Sequence, residues 1–331
     1  MDIRDERRTA KDIEAVITSY NQGDMIIEAV HSLCEQTVLP SRIIIVDDGS
    51  TDKYSLDILN TIKADHAIPI PVVVIQQANS GVSTARNTGI RKSETPLVLV
   101  LDGDDKVKPS YIEQVCKLLH ENPSMVAASS WMNTFGVLDS VICPGGGNVS
   151  KFLARNCCPA THILRREVWE KSGGYDESMR SGFEDWDFFL SMLETVPNAH
   201  IGIVPEPLID YRTAPASSNV KSMSKRLELM RFIIRKHNQS YQAHIEDAIL
   251  GIETISMSRL DGWENEICHT LKEKQILSQA SVDFIKNPSY GDGGMAAAVR
   301  IASNHQSTIS ALRTESRRSE KRTISDKKYV L

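Results

Sequence analysis

The sequence has no apolar stretch near the ~18 residues that a membrane-spanning helix requires. Its opening, MDIRDERRTAKD, also lacks the apolar run of a secretory leader. Both absences lead to the expectation of a cytoplasmic protein. Cysteine is sparse and unpatterned: the residues at 34, 116, 143, 157, 158 and 268 form no CxxC pair, and adjacent Cys157 and Cys158 cannot supply a finger-type zinc site. Free buried thiols are expected. Charge of one sign is lacking too, since 38 basic against 43 acidic residues leave a formal balance of −5, which gives no ground for nucleic acid as a partner. PGGGN, at 144–148, has neither a preceding strand nor a Walker lysine and is no phosphate loop. No internal repeat is visible.

What is present is alternation. At 331 residues the chain exceeds the ~100–200 residues of an ordinary domain, so one large domain and a smaller appendage are expected. IEAVITS, RIIIVDD, PVVVIQQ, PLVLVLD and SMVAASSWM are short runs rich in β-branched residues and read as buried strands. Helical periodicity separates them, as in Met25, Ile26, Ala29, Val30 and Leu33, or in Tyr111, Ile112, Val115, Leu118 and Leu119. This alternation predicts an α/β fold with a mostly parallel central sheet flanked by helices. The expected division is an N-terminal tail over 1–10, a main domain over 11–215, a C-terminal helical appendage over 216–312 and a basic, disordered tail over 313–331. HILRREVWEKSGGYDE is expected to form a short helix ending at Gly173-Gly174.

In such sheets ligands bind beyond the carboxyl ends of the strands. The polar loops fall there: Thr18-Ser19-Tyr20-Asn21, Asp47-Asp48-Gly49-Ser50, Gln77-Ala78-Asn79 and Asp102-Gly103-Asp104-Asp105 each follow a predicted strand. Asp102 and Asp104 alternate across Gly103, so extended backbone would put both carboxylates within reach of one cation. Hard divalent ions such as Mn2+ or Mg2+ bind through one or two carboxylates plus substrate phosphates. Alone, D-x-D is also a common solvated turn. Asp47 and Asp48 on the same rim shift the balance, because so many like charges call for a counter-charge.

NSGVSTARNTGI adds a helix start and Arg86, groups suited to an anion, with a solvated arginine as the competing reading. In FEDWDFF, Glu184, Asp185 and Asp187 occupy a predicted first turn beside Phe183 and Trp186. Desolvation there would raise a carboxylate's pKa and suit a general base, whereas acids in a first turn also occur simply as complements to the helix dipole. His162 reads as a satisfied core residue and Trp131 as packing.

Taken in order, AVITSYNQGDMIIEAVHSLCEQT, IIIVDDGSTD, NSGVSTARNTGI, LVLVLDGDD, SGGYDE, FEDWDFFL and DYR resemble the motif series of family 2 glycosyltransferases with the GT-A fold, over residues 13–212. The resemblance implies an inverting transfer of a sugar from a nucleotide-sugar donor, with a UDP-sugar favoured, to a hydroxyl of a sugar or glycoconjugate acceptor, as in polysaccharide synthesis. Carried over motif by motif, Thr18, Tyr20 and Asp48 would serve the donor's base and ribose, and Arg86 the nucleotide side. Asp102 and Asp104 would hold the ribose and the Mn2+ or Mg2+ that bridges the diphosphate, with Asp105 as a second contact. Asp185 would be the catalytic base, with Glu184, Trp186 and Arg212 at the acceptor or diphosphate. One position departs from the pattern. Many relatives carry a histidine after the YR pair, where this chain reads Tyr211-Arg212-Thr213-Ala214-Pro215, so that ligand is missing and Arg212 is left to take part of its work.

Two other classes compete. A haloacid-dehalogenase-like phosphatase also opens its site with a strand and D-x-D, but it leaves DDGSTD and STARNTGI unexplained. A catalytically silent scaffold on the same fold leaves Asp185 beside the acid triplet without a purpose. The helical appendage could pack on the main domain or form a homodimer. The basic tail could approach anionic lipid at the inner face of a membrane, although Glu315, Glu320 and Asp326 dilute its charge.

Overall fold

The computed structural model describes residues 8–215, 218–273, 275–289 and 291–305. The expected basic tail at 313–331 lies outside them. The chain opens with β1 (Arg8–Ala10), β2 (Ile13–Ser19), α1 (Met25–Cys34), β3 (Val38–Pro40), β4 (Ile43–Asp47), α2 (Lys53–Ala64) and β5 (Val72–Gln76). It continues through α3 (Val82–Lys92), β6 (Leu97–Asp102), β7 (Lys106–Val107), α4 (Tyr111–Glu121), β8 (Met125–Gly136) and β9 (Ser140–Ile142). Then come α5 (Val149–Phe152), β10 (His162–Arg165), α6 (Arg166–Ser172), α7 (Glu184–Thr195) and β11 (His200–Thr213). Helices α8 (Ser218–Met223), α9 (Arg226–Lys236), α10 (Asn238–Ala243), α11 (Ile245–Lys272), α12 (Gln279–Lys286) and α13 (Gly294–Asn304) follow.

The main sheet runs β5-β4-β2-β6-β10-β8-β11-β7, with β9 paired to β8 off that path. From β5 to β6 all neighbours are parallel. Beyond β6 the pairing is mixed: β10 is antiparallel to both β6 and β8, and β8 is parallel to β11. The expected mostly parallel sheet is therefore confirmed for the N-terminal half alone. The change comes at HILR, expected to start a helix. It is instead a strand inserted between β6 and β8, and the helix begins only at Arg166. Four residues are too few to display a period, and pairing on both sides decides their conformation. The end of α6 falls where expected, at Gly173 with φ +83°. PVVVIQQ also differs from expectation: β5 is an edge strand, and Val73 is 40% exposed. Arg8–Ala10, expected in a tail, pairs in parallel with β3.

Every residue of β2 is buried, because helices cover both faces of the sheet. Ile13, Ala15 and Ile17 join a core with Ile26, Val30 and Leu33 of α1 and with Tyr111, Ile112 and Val115 of α4. Val16 points the other way, into a core with Ala85 and Ile90 of α3 and Phe188 and Phe189 of α7. Gly89 lets α3 lie directly on β2, since a Cβ there would stand 2.2 Å from a Val16 methyl. That close approach brings Arg86, one turn earlier, over the strand ends.

The chain divides into two compact units after Ala248. The first therefore runs past the expected boundary at 215 and includes α9 and α10, whose Ile233 and Tyr241 are part of the second core. The second unit has its own small core of Ile267, Leu271, Ile285 and Ile301. Among the described residues no helix is long and apolar enough to cross a membrane. No disulfide forms among the described residues; Cys116, Cys157 and Cys158 are buried as expected, whereas Cys143 is exposed and Cys34 and Cys268 are half-buried.

Candidate active site

The strand register assembles the rim. Thr18 pairs with Val46 and Asp102, and Ser19 with Asp47, so three loops leave the sheet side by side. Gly103 fits under β2, where its N–H donates to the Thr18 carbonyl at 3.0 Å and a Cβ would lie 2.6 Å from the same oxygen. Thr18 Oγ1 donates to Asp102 Oδ1 at 3.1 Å. Asp48 is spent on the neighbouring loop: its carboxylate accepts from Gln77 Nε2 at 2.7 Å, Ser80 N at 2.9 Å and Gly81 N at 2.8 Å. Asn21 ties the first loop to the second, donating its backbone N–H to Ser50 Oγ and accepting from the N–H groups of Thr51 and Asp52. Tyr20, beside it, is 48% exposed.

Arg86 departs from expectation. It is 2% exposed, and its guanidinium is committed to protein carboxylates. Nη2 donates to both oxygens of Asp102 at 2.8 and 2.9 Å, and Nη1 to Glu184 Oε1 at 3.4 Å. Burial opposes its charge, but Asp102, Tyr175 and Glu184 overcome that and raise its pKa. Arg86 thus joins the end of β6 to the start of α7, and Glu184 faces it instead of open solvent. One nitrogen spans both oxygens of Asp102 and the other reaches Glu184, so the planar guanidinium bridges two carboxylates from different elements, which a single-nitrogen lysine could not.

The other two carboxylates of the DGDD loop diverge. Asp105 is buried and accepts the Arg212 backbone N–H at 2.8 Å, which locks the loop to β11; burial, then Asp104 and Asp102, push its pKa well up. This tether gives Asp105 a place in the framework. Burial and then the charge of Asp102 likewise push Asp104 up. Among the described residues no cation lies within ion-pairing distance of the Asp104 carboxylate. Arg212 Nε donates to the Asp104 carbonyl at 3.0 Å, and its Nη2 meets Glu28 at 3.0 Å. Lys106 also meets Glu28 at 3.0 Å, and both cations lie over the Phe135 ring. Two positive groups therefore share one carboxylate beside Asp104, near the place of the missing histidine.

On the far side, α7 presents Asp185. Its Oδ1 accepts the Trp186 N–H at 2.9 Å and its Oδ2 accepts from Asn156 Nδ2 at 3.1 Å. Burial, followed by the charge of Glu184, pushes its pKa up to about 7. That is the range in which a carboxylate works as a general base near neutral pH. Trp186, expected near a substrate, is 2% exposed, and its indole N–H donates to the Phe152 carbonyl at 2.7 Å. It packs beneath the site. Asp187, two residues on, is fully buried between Lys236 Nζ at 2.8 Å and His237 Nε2 at 3.0 Å. His162 is buried edge-on to Phe189, and burial pushes it down to about 4, so it is a neutral core residue as expected, but satisfied on one side alone: Nδ1 meets the Ala160 carbonyl, while Nε2 has no hydrogen-bond partner among the described residues.

Sequence reasoning missed Asn156, Lys106 and the Lys236-His237 pair. Only Lys106, next to the acid triplet, carried a signal along the chain.

The sequence model of glycosyl transferase family 2 matches residues 14–171. Residues 14–171 belong to that family. An uncharacterized glycosyltransferase of Haemophilus influenzae is 26% identical over 234 residues, 68% of this chain and 76% of the relative. Chondroitin synthase of Escherichia coli is 27% identical over 193 residues, 57% of this chain but 27% of that longer protein. The structure of S. aureus TarS 1-349 in complex with UDP-GlcNAc is similar with a TM-score of 0.57 at 16% identity, covering 92% of each chain. The fold is accordingly of the GT-A type. Thr18, Asp48, Arg86 and the DGDD loop lie inside the family 2 glycosyltransferase stretch, while Asp185 and Arg212 lie beyond it, so their reading rests on geometry.

Proposed function

We propose that this family 2 glycosyltransferase moves a sugar from a uridine diphosphate donor to an acceptor hydroxyl, with inversion at the anomeric carbon. One observation carries the reading: the Arg86 guanidinium grips Asp102 at the end of β6 and Glu184 at the start of α7. Carboxylates suited to a donor are thereby held beside the residue suited to be the base. That TarS, of the same fold, has been seen with UDP-GlcNAc and with UDP supports the donor class.

The acceptor oxygen attacks the anomeric carbon from the face opposite the diphosphate. Its proton passes to the Asp185 carboxylate as the carbon–oxygen bond to the diphosphate breaks, and that electron pair leaves with the diphosphate. Arg212 and Lys106 lie near Asp104, where they oppose the charge that builds on the leaving group.

The residues present fit a hard divalent cation, because the donors are all oxygen and Asp104 lacks a cationic partner among the described residues. Asp104 with Asp102 would hold Mn2+ or Mg2+, which supplies Lewis-acid stabilisation of the departing diphosphate. No group of three ligating side chains converges among the described residues, so diphosphate oxygens and water would complete the shell.

Calorimetry of UDP binding with and without Mn2+, on the wild type and on Asp104→Ala, tests the donor site. Metal-dependent binding lost in the variant is expected; no UDP binding in either condition would overturn the donor class.

A further inference from the structure

We propose that Asn156 is the positioning residue of the base, its amide orienting the Asp185 carboxylate and favouring the ionised form. The inference rests on Asp185 being the base, and it adds the group that prepares it.

Asn156 lies between α5 and β10, outside every motif. The Cys158 N–H donates to its Oδ1 at 3.1 Å, which settles the amide orientation and leaves Nδ2 as the end facing Asp185. Among the described residues the hydrogen-bond donors to Asp185 are this amide and the Trp186 N–H, one on each oxygen. Two donors on opposite oxygens stop the carboxylate from rotating, and both bonds are stronger when it is ionised.

The loop that carries Asn156 is itself held from two helices. Trp186 of α7 binds the Phe152 carbonyl at 2.7 Å, and Tyr241 of α10 binds the Leu153 carbonyl at 2.8 Å. Helix α10 thereby acquires a task, since it steadies the loop that steadies the base.

The surrounding charges make the amide matter. Glu184 from α7 and Asp102 from β6 both oppose ionisation of Asp185. Cys158, Tyr175 and Tyr211, on the adjoining loops and β11, interact with it electrostatically, and burial together with that charge keeps each of them protonated and neutral, so none offsets it. Arg86 acts in its favour, but its hydrogen bonds go to Asp102 and Glu184. Asn156 therefore opposes a field that drives Asp185 toward its neutral form.

The test is a carbon-13 NMR titration of protein labelled at the aspartate carboxyls, with the Asp185 signal assigned by its loss in Asp185→Asn. In Asn156→Ala the midpoint should rise by about one pH unit, the equivalent of one charge-assisted hydrogen bond. Asn156→Asp, which keeps the side chain's volume and its bond from Cys158, should raise it further. A midpoint unchanged in both variants, each shown to be folded by circular dichroism, would overturn the proposal. This readout needs no substrate. If Asp185→Asn left sugar transfer intact, the base reading would fall, while the titration would still report whether Asn156 tunes that carboxylate.

Discussion

The two carboxylate centres of the rim are built in opposite ways. At the end of β6, Asp102 receives two bonds from a buried guanidinium and one from Thr18, so the acid is matched by a cation. At the start of α7, the donors to Asp185 among the described residues are neutral, and it sits against Glu184. The first arrangement suits a fixed anion that organises ligands. The second suits a group that takes up and releases a proton. Asp187, on the same helix, repeats the first solution with Lys236 and His237, and it carries structure instead of chemistry.

The contrast breaks most sharply at Asp185. Asp185→Asn keeps the shape and removes the base, so transfer should drop by roughly 10²–10⁴-fold in an initial-rate assay while UDP affinity is retained. Loss of UDP binding instead would move Asp185 to the donor side. Next comes Arg86→Met, which strands Asp102 and Glu184 without their cation. A stability loss of about 3–5 kcal/mol in urea unfolding is expected, as for other buried pairs that lose one partner. An unchanged midpoint would show the pairing to be dispensable.

A smaller effect concerns stability and pH. Asp185 titrates near 7 in the fold against about 3.9 in an unfolded chain, so the folded state binds its proton more tightly and loses stability as pH rises between those values. Asp185→Asn should melt above the wild type at pH 8, with the gap closing toward pH 4. A site that is less stable when active is the usual trade of function against stability.

The smallest effect belongs to the structural centre. Burial opposes charge on His237, but its bonds to Asp187 and Glu194 prevail and raise its pKa. Its stabilisation is complete below about pH 6.5, the unfolded value, and is lost as pH rises through the folded one. His237→Gln should remove that slope from melting curves at a cost of about 1 kcal/mol. A wild-type slope that survives the change would place the proton elsewhere.

The parts of the site legible in the sequence were those encoded locally. Short runs of β-branched residues placed β2, β4 and β6, and turn chemistry placed the acids after them, because run length, residue type and Asp-Gly turns are properties of adjacent residues. Strand β10 escaped because its conformation depends on β6 and β8, and β5 was expected to be buried because a run of valines does not reveal an edge. Arg86 stood out as a residue, yet its partners did not: Glu184 is 98 positions away. Asn156 is 29 positions from Asp185, in an irregular stretch with no period to announce it.

The order of the amino acids is enough to say where this chain is apolar, where its strands end and which loops gather carboxylates, since those follow from contacts between near neighbours. Which carboxylate is paired, which is buried and which is basic was decided only when distant segments met. A carboxylate's role depends on the groups within a few ångströms, and for Asp102, Asp185 and Asp187 those groups are the guanidinium of α3, the amide before β10 and the cations at the end of α9.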